Sequence, residues 1–167
     1  MLRTIARARV PLGFACAALA FWLARPTTSS FSAGVLIVLV GEALRVWASG
    51  HIDKGREITR TGPYRFVRHP LYLGSSIMAA GFTVASRSFL AAGVVVTYMV
   101  VTLVAAMRSE EAALEARFGD EYSAYRAGIA PPVHRAFSLA RVRANREYRA
   151  IVGVAVGVAM LYLKSRL

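Results

Sequence analysis

The sequence predicts an all-α integral membrane bundle of about five helices, in which the third and fourth form a hairpin. Three observations carry this. Hydrophobic residues make up 56% of the 167, and mean hydropathy is +0.48, too apolar for a typical soluble domain of this size. The apolar residues gather into five runs. The basic residues, 21 Lys and Arg against 9 Asp and Glu for a net charge of +12, fall between those runs rather than within them. That is the pattern of loops facing an anionic cytoplasmic leaflet, so the charge has a topological explanation and no nucleic-acid partner is expected.

The first run, Pro11–Ala24, follows Arg3, Arg7 and Arg9 and so imitates a signal peptide. Ala24-Arg25-Pro26 is a poor cleavage site, which makes the run an uncleaved first helix. The second and fourth runs, Phe31–Ala48 and Phe89–Met107, approach the length of about 20 residues that a span needs. The third, Pro70–Ser86, and the fifth, Ala150–Leu163, are shorter and need a thinned bilayer or snorkelling flanks. Ser86-Arg87-Ser88 leaves room only for a tight connection between the third and fourth helices.

Lys and Arg set the orientation. They crowd the N-terminus, the connection from Lys54 to Arg68, and the stretch from Arg108 to Arg149, whereas the opposite side carries only Arg25 and Arg87 before the fifth run. With four spans and a cytoplasmic N-terminus, every rich segment is cytoplasmic; whether the fifth run spans stays open. The expected location is a bacterial inner membrane. The chain reads as one domain, 1–167. Cys16, the single cysteine, sits in an apolar run and allows neither a disulfide framework nor a cysteine zinc site. Gly153 and Gly157 form a small-xxx-small pair that can mark a homodimer face or arise by chance in a Gly/Ala/Val-rich helix.

Three constellations can carry chemistry. In Arg60–Gly74, "RTGPYRFVRHPLYLG", Thr61-Gly62-Pro63-Tyr64 reads as a turn and Pro70 suits the first position of a helix. His69, held extended by the following proline, would stand at the helix start. The free N–H groups there favour an anion, reinforced by Arg68 and His69. The plainer reading is a set of basic anchors with Tyr64 and Tyr72 as an aromatic belt. In Arg108–Ala127, Leu114, Phe118, Tyr122 and Tyr125 recur at helical spacing, and Glu110 and Glu111 lie within a turn of the apolar run. Adjacent helical residues point about 100° apart, so one carboxylate can face the bundle while the other faces water; the alternative is a solvated face with local ion pairs. Third, Glu42 and Arg45 share a face inside the second run, where ionisable groups are costly and usually meet a cavity or partner. No P-loop, H-E-x-x-H, G-x-S-x-G or Rossmann glycine motif is present, and His51, His69 and His134 lack metal-ligand spacing. No metal is expected.

"GPYRFVRHPLYLG" (Gly62–Gly74), followed after one helical hairpin by "EEAALEARFGDEYSAYR" (Glu110–Arg126), resembles the isoprenylcysteine carboxyl methyltransferases and the related phospholipid methyltransferases. The resemblance spans about Glu42 to Pro132, leaving 133–167 as a basic connection and a C-terminal apolar helix. It implies an integral membrane enzyme that uses S-adenosylmethionine, leaves S-adenosylhomocysteine, and builds its cofactor pocket at the cytoplasmic membrane face. By position, Tyr64, Arg68, His69, Pro70, Tyr72 and Gly74 match the first motif, and Glu110, Glu111, Phe118, Gly119, Tyr122 and Tyr125 the second. The resemblance thus implies that His69 and the Pro70 helix start hold the donor's carboxylate. Glu110 or Glu111 would take the ribose or the amino group, and tyrosines would face adenine or the sulfonium. After Tyr125 the family's basic pair and Val-Pro give way to "RAGIAPPVHR", with Pro131 and Pro132 keeping the stop.

The acceptor is expected to be lipophilic: a prenylcysteine-like carboxyl, or the amine or hydroxyl of a lipid. A carboxylate would need only positioning, from Arg45, Arg68 or Arg126; an amine must lose a proton, a base role open to Glu42, Glu110 or Glu111. The competing classes are an NADPH-dependent membrane reductase of the sterol-reductase type and a non-enzymatic membrane scaffold.

Overall fold

Each apolar run forms a helix in the computed structural model, which describes residues 2–131 and 133–167, with side chains from residue 11 onward. Arg3, Arg7 and Arg9, as side chains, and Pro132 therefore lie outside the described residues. The helices are α1 (Leu2–Leu23), α2 (Thr28–Ser49), α3 (Pro70–Ser86), α4 (Phe89–Phe118), α5 (Asp120–Arg126), α6 (Leu139–Ala144) and α7 (Tyr148–Lys164), with a 3-10 turn at Gly62–Arg65. No strand occurs among the described residues.

Local chemistry sets the boundaries. Thr27 caps α2 in a reciprocal box: its hydroxyl accepts from Ser30 N at 3.3 Å, and Ser30 Oγ accepts from Thr27 N at 2.9 Å. Pro70 occupies the first turn of α3, with His69 as the non-helical residue before it. Arg87 takes a left-handed conformation and Ser88 caps α4, so the tight hairpin expected at Ser86-Arg87-Ser88 turns on these two residues. Gly119, at φ 47° and ψ −118°, breaks the chain between α4 and α5 in a backbone region that only glycine enters freely.

The closest packing in the bundle joins α3 to α2 rather than to its hairpin partner α4. Glycines on both helices meet: a Cβ added at Gly34 would fall 2.5 Å from Gly81 O, and one at Gly41 would fall 2.7 Å from Gly74 O. The two backbones touch, as small residues permit between membrane helices. On the other side α1 lies against α4, where Gly13 faces Tyr98. Leu161 of α7 completes a small core with Ala24 and Ala85. Gly157 lies against Phe82 of α3, whereas Gly153 faces open space.

Little of the apolar surface is buried inside the chain. Phe14, Leu36, Leu90, Val100 and Val156 are all exposed on the outer faces of the helices. An apolar surface this extensive is what helices packed in a bilayer present to lipid. α2 and α4 are long and apolar enough to cross a bilayer; the apolar part of α1, Pro11–Leu23, is shorter. At 1.5 Å per residue, α4 outruns the hydrocarbon core. Its apolar stretch ends at Met107, and the charged extension Arg108–Phe118 projects beyond it.

Candidate functional site

The projecting end of α4 returns to the start of α3, and there the two sequence motifs meet. Because no side chain caps α3, the His69 imidazole is free to turn outward. Its Nε2 lies 3.0 Å from Glu111 Oε1, and its Nδ1 lies 3.9 Å from Glu110 Oε2. Arg68 Nη1 reaches the same Glu111 oxygen at 3.1 Å. Glu111 is therefore the shared anchor of Arg68 and His69. The hydrogen bond from His69, followed by the charge of Arg68, holds its carboxyl below the ordinary carboxylate range.

Beside this cluster is a cavity of about 280 Å³, within reach of the smallest ligand pockets. Of the predicted residues, Tyr64, Arg68, His69, Glu110, Tyr122 and Tyr125 line it. The tyrosines are held by burial: Tyr64 is 7% exposed and Tyr122 1%. Tyr125 Oη donates to Tyr64 O at 2.9 Å, tying α5 to the 3-10 turn. Desolvation raises all three phenols, Tyr125 to about 12, so they stay protonated. Tyr64 lines the cavity, while its hydroxyl is buried with no hydrogen-bond partner, an expensive state for a polar atom.

Gly62 explains the placement of Tyr64. It sits at φ +57°, and a Cβ there would fall 2.4 Å from His51 Cδ2. Only glycine permits this turn against the buried His51 ring.

Other predicted residues lie elsewhere. Pro70 is buried at the start of α3. Tyr72 packs on His69, ring centroids 5.6 Å apart, and is not among the residues lining the cavity. Gly74 is accounted for by helix packing, since a Cβ there would fall 2.6 Å from Arg45 Cγ. Arg126 is exposed and outside the cavity lining. Arg45 is held from two sides: Nε and Nη2 reach Glu147 Oε1 at 2.8 and 2.7 Å, and Nη1 contacts Ser75 Oγ and Leu71 O. Glu42, one turn before it, has both carboxylate oxygens buried without a partner.

Sequence reasoning missed the connection after α2, which supplies Ile52, Lys54, Glu57, Ile58 and Thr59 as one cavity wall, and Arg117 of α4. Lys54 and Arg117 had been visible only as basic charge. Glu147 was missed as well, although it is an isolated acid in a basic stretch.

The phospholipid methyltransferase family matches residues 8–121. This chain belongs to that family. The match begins within α1, ahead of the Glu42 start inferred from the motifs, and ends just before Tyr122. The chain is also 28% identical over 106 residues to the nickel-cobalt-cadmium resistance protein NccN of Alcaligenes xylosoxydans xylosoxydans, covering 61% of this chain and 48% of that protein. It thus spans about half the length of that relative. No solved structure matches. The family and the lipid-facing helices together make this a membrane protein.

Proposed function

We propose that this protein transfers a methyl group from S-adenosylmethionine to a lipophilic acceptor at the cytoplasmic face of a bacterial inner membrane. One observation carries the reading: Arg68 and His69 of the α3 start converge with Glu110 and Glu111 of α4 on a tyrosine-lined cavity. The zwitterionic, cationic donor fits that lining. Arg68 and His69 suit its carboxylate, Glu110 suits its ribose or ammonium, and the buried Tyr64 hydroxyl still needs a partner. Glu111, already engaged by His69 and Arg68, orients them.

The donor supplies an activated methyl carried on a sulfonium. The residues contribute alignment and exclusion of water, which can provide most of the rate of an in-line displacement. Arg45 is tied to Glu147, Ser75 and Leu71 and lies outside the cavity lining, which makes it a poor grip for an acceptor carboxylate. Glu42 has two unpartnered oxygens, both buried and on a residue outside the cavity lining. For an acceptor nitrogen, Glu42 would take the proton before transfer, provided an acceptor entering between the helices opens the way to its carboxyl. The N-terminus would face the cytoplasm, as the Lys/Arg asymmetry requires.

The test is calorimetric titration of the purified protein with S-adenosylhomocysteine, with NADPH as comparison. Saturable binding of the former alone is expected. No binding, or binding of NADPH instead, overturns the reading. Mass identification of lipids methylated from labelled donor in a membrane extract would then name the acceptor; an exclusively carboxyl-methylated product would overturn the nitrogen assignment.

A further inference from the structure

We infer that the segment Arg135–Glu147, beyond the stretch matched by the family, is a clasp that positions two walls of the cavity at once. This rests on the donor-site reading above, but the clasp itself stands on contacts. An α-helix leaves its last carbonyl groups without intrahelical partners, and at the end of α2 the clasp supplies donors to that region. Asn145 Nδ2 donates to Ser49 O at 3.0 Å and to Ile52 O at 3.1 Å. Arg141 Nε donates to Gly50 O at 2.8 Å, and Ser138 N donates to the same oxygen at 3.1 Å. Further along the same connection, Arg135 pairs with Glu57, which lines the cavity. The wall formed by Ile52–Thr59 is thus pinned at its root and near its far end by residues that are distant in sequence.

Glu147 acts on the other wall. It is 5% exposed and takes both Nε and Nη2 of Arg45. The remaining arm of Arg45 reaches Leu71 O and Ser75 Oγ in the first turns of α3, immediately after His69 and Pro70. Glu147 is therefore a positioning residue. It fixes Arg45, Arg45 fixes the α3 start, and the α3 start aims His69 at Glu111.

A clasp of this kind predicts that residues far from the ligand control donor affinity, without touching donor or acceptor. The experiment uses the full chain in detergent micelles. S-adenosylhomocysteine dissociation constants and the hydrogen exchange of residues 50–61 and 69–75 are measured for wild type, Glu147→Gln, Glu147→Asp, Arg135→Ala and Asn145→Ala. Glu147→Gln should weaken binding by about tenfold, with Glu147→Asp recovering part of it; Arg135→Ala and Asn145→Ala should each weaken it about threefold. Exchange should quicken in 50–61 for Arg135→Ala and Asn145→Ala, and in 69–75 for Glu147→Gln. The KM for acceptor should stay within about twofold, a split that global loosening would not give. If Glu147→Gln does not fold, the two polar variants decide. Unchanged affinity and unchanged exchange in them overturn the clasp. If wild type binds no S-adenosylhomocysteine, the donor reading fails instead, and the exchange pattern alone decides the clasp.

Discussion

The Tyr64 hydroxyl separates a binding role from a packing role at the scale of one atom. It is buried and unpaired, on a residue that lines the cavity. Removing an unsatisfied buried hydroxyl is neutral or stabilising by about 1 kcal/mol. Tyr64→Phe should therefore leave the melting temperature of the ligand-free protein level or higher, while weakening S-adenosylhomocysteine binding; equal affinity would make Tyr64 a packing residue. Glu42 offers a different split. If its carboxylate accepts the acceptor's proton, Glu42→Gln should lower kcat by about a hundredfold or more and leave the donor dissociation constant unchanged. A loss confined to donor affinity would assign Glu42 elsewhere. The motif positions themselves were legible in sequence, because proline before a helix and paired acids after an apolar run each have a local physical meaning. The partner choice of Glu111 over Glu110 was not legible, since it depends on how α4 is rotated against α3.

At the scale of elements, the α2–α3 contact and the connection after α2 do most to set the site. Gly41 and Gly74 let two backbones touch. Inserting a side chain there overpacks the interface, typically at a cost of 1–3 kcal/mol or more where backbone must move. Gly41→Leu should lower the melting temperature in detergent far more than Gly153→Leu, whose added atoms meet open space; equal effects would contradict the packing. The connection also has a pH signature. Burial first, then the charges of Arg141 and Arg135, holds the His51 imidazole below its ordinary value of 6.5. Between the depressed folded value and the unfolded one, the unfolded chain binds more protons. The stability His51 contributes is thus complete above about pH 6.5 and is lost as pH falls toward the folded value. Melting temperature should drop from about pH 7.5 to about pH 5.5, and His51→Asn should remove part of that drop. An identical drop in the variant would assign the effect to other groups.

For the whole molecule the governing fact is sidedness. The cavity, the basic connections and the N-terminus belong to one side of the bundle if the Lys/Arg asymmetry holds. Cys16 is the single cysteine, so a Cys16→Ser background allows reporters to be placed by Lys54→Cys and Arg87→Cys. In intact cells a membrane-impermeant thiol reagent should label the second and spare the first. The reverse pattern would invert the topology and move the cavity to the other face. The five apolar helices, the tight turn at Arg87–Ser88 and the two chemical motifs were legible in the sequence alone, because hydropathy, capping and proline act over a few residues; the break at Gly119 that separates α5 from α4, and the short α6, were not. The tertiary structure alone decided that α3 packs on α2, that Arg45 is held by Glu147 and Gly74 is a packing glycine, and that residues 135–147 reach back over the end of α2. Those outcomes depend on which faces meet when helices far apart in sequence pack together.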